Sequence, residues 1–191
     1  MSRYHNTIHP PVFPSQLSAY STLSGALIPP PSRFTSSRRR RVPQILCKTS
    51  SGPMCAPITF DYIGQTGQGV SVADFSARSQ NALVQMVTGA NDLVLATTGV
   101  KTATLHIMWT GYERISKTKF NLPVSAATSR GQLGANIALH LWAFVDEATK
   151  AAASDPQWEI SARGIRYDKI VLVALYHVGD DVWQVDLAVD F

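Results

Sequence analysis

From Ile58 onward, apolar and polar positions recur with regular periods; before it they do not. Ile58 to Ile63 reads as a strand, followed by a flexible turn at Gly64, Gly67 and Gly69. A helix is predicted from an N-cap at Ser71, with Asp74 where a capping box would normally have Glu or Gln. On a helical wheel Asp74, Arg78, Asn81, Gln85 and Thr88 share one stripe, and Val72, Phe75, Leu83, Val84, Met86 and Val87 fall elsewhere. Gly89 ends that helix, and Asp92 to Thr97 reads as a short strand. Lys101 to Thr110 predicts a strand with Ala103, Leu105, Ile107 and Trp109 on one face. Gly111 turns it into a second strand, Tyr112 to Leu122, which Pro123 breaks. Ser129 is the expected N-cap of a long helix reaching about Ala153. Its polar stripe is Gln132, Asn136, His140, Glu147 and Lys150, and its apolar side carries Leu133, Ile137, Leu141, Trp142, Phe144 and Val145.

The end of the chain has the clearest pattern. Ile170 to Val178 is apolar at both parities, as in a central strand. After Gly179, Asp180 and Asp181, the residues Trp183, Val185, Leu187, Val189 and Phe191 alternate with Gln184, Asp186 and Asp190. That predicts a hairpin whose second strand has one wet face. The fold class expected is α+β: a single compact domain with a mixed or antiparallel sheet, two amphipathic helices and a C-terminal β-hairpin. The expected division is a disordered arm over 1–55 and a core over 56–191. A core of that size needs neither metal nor disulfides.

Composition explains the arm. It holds Pro10, Pro11, Pro14, Pro29, Pro30 and Pro31 among many serines, which favours extended, solvated backbone. Seven basic side chains and no acidic one precede Asp61, so the remainder keeps 10 Lys+Arg against all 13 acids. A +7 segment is thus joined to a −3 one, which together make the net +4 of the chain. No apolar run approaches the roughly 18 residues of a membrane-spanning helix. Two cysteines make neither a disulfide framework nor a four-thiolate zinc site.

Candidate chemistry is sparse. The glycines 64, 67 and 69 fit neither the dinucleotide fingerprint nor the P-loop, and read as a connector. His5, His9, His106, His140 and His177 show no metal-ligand spacing. Cys47 and Cys55 fit no redox motif, no serine has a hydrolase-nucleophile context, and Asp146–Glu147 and Asp180–Asp181 read as solvated charge. A non-enzymatic protein is expected, with no catalytic residue, cofactor or metal. The strongest local signal is the run Arg38, Arg39, Arg40 and Arg41. With Arg33 and Lys48 it forms the expected polyanion-binding set, suited to RNA phosphates or anionic lipid headgroups. A Ser- and Arg-rich, acid-free N-terminus is equally the composition of a cleaved organellar transit peptide. On that reading the chain is an imported soluble α+β protein of an organelle stroma or matrix.

The closing stretch from Val173 to Phe191 resembles the end of rhabdovirus matrix proteins: an apolar strand, a short turn, a Trp-led strand and a terminal Phe. The helix opening Ser71, Val72, Ala73, Asp74 and Phe75 is similar to the first helix of that family, and a basic, Pro-containing arm before an α+β core matches its layout. The family's Pro-Pro-x-Tyr budding motif is absent, the arm is Arg-rich rather than Lys-rich, and the middle of the core is shorter. A second likeness is to small plant-virus coat proteins with RNA-binding arginine arms, although two amphipathic helices do not suit their all-β jelly roll. The matrix resemblance implies a structural role in the virion and in host cytoplasm or nucleus: binding ribonucleoprotein or an anionic membrane, and forming homo-oligomers.

A basic arm and an acidic core can also meet between copies, and such a heterologous contact propagates. Salt-sensitive self-association, abolished by deleting residues 1–48, is therefore expected in sedimentation at low salt. Monodisperse full-length protein at high concentration and low salt would contradict it.

Overall fold

The computed structural model describes residues 34–44 and 55–191, with the backbone of two short strands, β1 (Ala26–Leu27) and β3 (Leu46–Cys47), which pair with each other. Between these lies β2 (Arg39–Arg41). Then follow β4 (Ile58–Thr59), β5 (Val70–Ser71), α1 (Val72–Ala77), α2 (Gln80–Met86), β6 (Thr102–His106), β7 (Lys119–Pro123), α3 (Arg130–Ala148), β8 (Ile170–Gly179) and β9 (Val182–Asp190). Seven strands form one mixed sheet in the order β4-β8-β9-β6-β7, with β5 also on β8 and β2 also on β9. The α+β class expected from the sequence is the class observed.

The hairpin β8–β9 is the centre of the sheet. All ten residues of β8 are buried, because a strand apolar at both parities must be covered on both faces. One flank of β8 takes β4 and β5. The free flank of β9 is shared: β6 runs parallel to it at Val182 to Gln184, and β2 runs antiparallel to it at Ala188 to Asp190. The turn between them places Asp180 at φ 44, a left-handed conformation that Asp tolerates.

Helices cover one face. The capping box of α3 is complete: the Ser129 side chain accepts from the Gln132 amide, and the Gln132 side chain accepts from the Ser129 amide. From that start α3 buries Leu133, Ile137, Leu141 and Phe144 against Leu105, Ile107, Trp183, Val185 and Leu187 of the sheet. Ala103, Leu105, Ile107 and Trp109 are all buried, as their alternation predicts. Gly134 lets α1 approach: a Cβ there would lie 2.3 Å from the Phe75 ring.

Four local expectations change. The helix expected from Ser71 to Gly89 breaks at Arg78 and Ser79, both extended. Ser79 caps a new helix by accepting from the Ala82 amide, competition that a serine always offers the backbone. Asp92 to Thr97 forms local turns rather than a strand, with Asp92, Ala96 and Thr98 amides bonded three residues back. The strand expected from Tyr112 shrinks to β7, because Tyr112 and Ile115 close turns and the Tyr112 hydroxyl accepts from the Ile160 amide. Trp142, expected on the apolar side of α3, is 58% exposed and packs by its edge on Tyr167.

The largest correction concerns the second face of the hairpin. Gln184 and Asp186, expected to be wet, are both 0% exposed. Phe34 packs on that face against Val171, Val173 and Ala188, and the segment from Arg39 to Gln44 runs along β9. The expected arm thus includes a folded part: residues 34–44 belong to the sheet layer. Arg33 and Lys48 lie outside the described residues.

Gly134→Ala is expected to lose about 1–2 kcal/mol. Overpacking against Phe75 costs ~1–3 kcal/mol, partly offset by the better helix propensity of Ala. Urea unfolding of Gly134→Ala, Phe75→Ala and the double variant checks this: the double variant should cost less than the two single losses combined.

Candidate functional site

The arginine run enters an antiparallel ladder, and the strand's period of two divides it. Arg39 and Arg41 lie on the face carrying Asp186, Ala188 and Asp190. The Arg39 guanidinium makes a fork with Asp190, Nε to Oδ1 at 2.7 Å and Nη2 to Oδ2 at 2.6 Å. Its Nη1 donates to the Gln68 carbonyl at 2.5 Å. The Gln68 side-chain oxygen accepts from the Thr35 amide at 2.8 Å, fixing the approach to the run. The glycine turn therefore serves as a dock for this segment. Its Gln68 and Gly69 amides both donate to the Asp61 carboxylate, at 2.9 and 3.0 Å, and so are already satisfied by a resident anion.

Arg41 reaches inward. Its Nη2 lies 2.7 Å from Asp186 Oδ2, with the arginine side chain 19% exposed and the aspartate 0%. Gln44 closes the group by donating to the Val185 carbonyl at 2.8 Å and accepting from Gln184 Nε2 at 3.1 Å. Burial pushes the Asp186 carboxyl up, the Arg41 charge and Gln44 pull it partway back, and the net result is about 6.

The other two arginines face away from these acids. Arg38 and Arg40 are exposed and make no ion pair among the described residues. The Arg40 guanidinium sits 5.3 Å from the centroid of the Phe191 ring. Phe191, 46% exposed, is itself propped edge-on by Trp158 at 5.6 Å. Beside it opens a cleft of about 480 Å³ lined by Gln157, Arg163, Arg166, Lys169, Asp190 and Phe191. Arg163, Arg166 and Lys169 are exposed. Arg166 is paired with Asp168 at 2.8 Å, and Asp190 is the partner of Arg39.

The loop bearing Arg163 is held from below. Trp158, Ile160 and Ile165 are buried, the Trp109 indole donates to the Trp158 carbonyl at 2.9 Å, and the Ile165 amide donates to the Glu159 carbonyl at 2.8 Å. Three cations, Arg163, Arg166 and Lys169, thus line the cleft at this end of the hairpin; Arg40 adjoins it through the Phe191 ring, and the Arg38 carbonyl accepts from the Phe191 amide. Of the expected set, Arg38 and Arg40 are exposed and adjoin Phe191, whereas Arg39 and Arg41 are held by acids of the same chain. Arg163, Arg166 and Lys169 escaped the sequence reading, although their spacing of three is visible. A charge count over the whole core hides them among its 13 acids.

His106 and His140 are pushed down by burial and by Lys119 and Lys117 respectively. Burial with Asp74 pushes Tyr62 up to about 12. Among the described residues no group of three or more His, Cys, Asp or Glu side chains is placed to hold a metal ion. No described helix is long and apolar enough to cross a membrane. No protein-family model matches the chain, and no curated protein and no solved structure matches it.

Asp186 ordinarily titrates near 3.8, so its rise to about 6 means that the folded chain binds this proton more tightly than the unfolded chain. The stabilisation from protonating it is complete below pH 3.8 and is lost as pH rises through about 6. Between pH 7.5 and pH 5, wild-type protein should gain about 1 kcal/mol relative to Asp186→Asn. Urea midpoints of both proteins across that range measure it; parallel profiles would contradict it.

Proposed function

We propose that this is a non-enzymatic, matrix-like structural protein of a virion that binds the phosphates of ribonucleoprotein and self-associates. The observation that carries this reading is that the cleft lined by Arg163, Arg166 and Lys169 adjoins, through Phe191, the exposed arginines Arg38 and Arg40 of the run. Guanidinium and ammonium groups held on a folded surface attract phosphate without reading sequence. The division of the arginine run also argues against a purely expendable leader. Two of its members complete the fold, since Asp186 without Arg41 would be a buried charge with no opposite charge beside it.

Self-association follows from the same layout. The exposed carboxylates Asp180 and Asp181 stand at the turn of β8–β9, and the exposed arginines stand at its other end, roughly 30 Å away for a nine-residue strand. One copy's cations can therefore meet the next copy's carboxylates, a head-to-tail contact.

Binding of the full chain to heparin and to RNA should fall steeply with salt. Replacing Arg38, Arg40, Arg163 and Lys169 together by Gln should flatten the slope of log K against log salt by about 3, at ~0.7 per phosphate contact with single strands. An unchanged slope would overturn the reading. Tighter binding to phosphatidylserine vesicles than to either polymer would move the site to a membrane role.

A further inference from the structure

The cleft beside Phe191 holds more than charge. A purely electrostatic phosphate surface has no use for an exposed aromatic ring, yet here a ring 46% exposed forms part of a concave wall. It is held in place from two sides: Trp158 packs against it at 70° with centroids 5.6 Å apart, and the Arg40 guanidinium lies 5.3 Å from its centroid. A cleft of about 480 Å³ admits a small-molecule-sized group such as a single base. Its rim carries Arg163 and Lys169, neither ion-paired among the described residues.

An aromatic face with cations beside it is the chemistry that takes a splayed base and the phosphates flanking it. A base in a duplex has its faces covered by its neighbours, so only an unpaired nucleotide can use such a wall. We propose that the Phe191 cleft is a subsite for one unpaired nucleotide of single-stranded RNA. The base stacks on Phe191, and the adjoining phosphates pair with Arg163, Lys169 and Arg40. Gln157, in the same wall, offers an amide to the base edge or ribose. This inference rests on the phosphate-binding reading and narrows it: phosphates supply affinity, and the ring supplies preference for single strands.

The test uses the full chain and four labelled probes in anisotropy titrations at one salt concentration. These are a 20-nucleotide oligouridylate, an RNA duplex, an abasic strand of the same length as the oligouridylate, and heparin. Wild-type protein should bind oligouridylate about ten-fold more tightly than the abasic strand, the loss of about one base stack. Phe191→Ala should bring oligouridylate down to the abasic level and weaken heparin and duplex binding far less, whereas Phe191→Tyr should retain the preference. Equal affinity of wild-type protein for oligouridylate and the abasic strand would overturn the subsite, and that result does not depend on any variant folding. So would a Phe191→Ala loss that is the same on all four probes. If wild-type protein bound none of the four, the phosphate-binding reading itself would fail. Binding to all four without discrimination would leave that reading standing and remove only the nucleotide subsite.

Discussion

A carboxylate shut off from water organises this protein. Asp186 lies in the middle of β9 with no exposed surface, and a charge in that position costs several kcal/mol unless an opposite charge comes to it. Arg41 comes to it, across 145 positions of sequence, and brings a strand along. Once β2 is laid on the edge of β9, Val42 is placed in the main core at 0% exposure and Phe34 packs over Val171, Val173 and Ala188. Gln44 then accepts from Nε2 of Gln184, another buried polar residue on that face. Part of the second face of the central hairpin is thereby covered by a segment whose composition reads as solvent-loving.

The same docking decides what the arginines can do. A strand sends successive side chains to opposite faces, so four adjacent arginines cannot all serve one purpose. Arg39 and Arg41 meet Asp190 and Asp186; Arg40 turns to the Phe191 ring, and Arg38 stays in solvent. Arginines that pair within the fold alternate with arginines left exposed. A protein that used an untethered arm would keep all its positive charge mobile. Here the backbone carrying Arg38 and Arg40 is fixed on β9, and the cleft beside it is lined by the loop carrying Arg163, Arg166 and Lys169.

Rigidity of that loop comes from buried aromatics rather than from regular structure. Trp109 and Tyr112 hold the backbone at Trp158 and Ile160 through their polar tips, while their rings pack in the core. The path from core to surface is short: Trp158 touches both the buried layer and Phe191. The exposed ring is therefore preorganised by the same residues that close the domain.

The sequence alone determined the elements whose signals are local. The apolar run of β8, the alternation of β9, and the Ser129 N-cap of α3 are short-range patterns, and each produced the element expected of it. The α+β class followed from them. The break at Ser79 was hidden because both helical pieces keep their polar residues on one stripe of the same wheel, and only packing distinguishes one helix from two. The candidate site was legible only in part. Its arginine run was conspicuous, but which arginines are free depends on carboxylates about 150 positions away, and Arg163, Lys169 and Phe191 join them only through the fold. Charge acts through space and not along the chain. Local pattern could therefore announce a basic segment and an acidic core, and only the tertiary structure could show that they are partners.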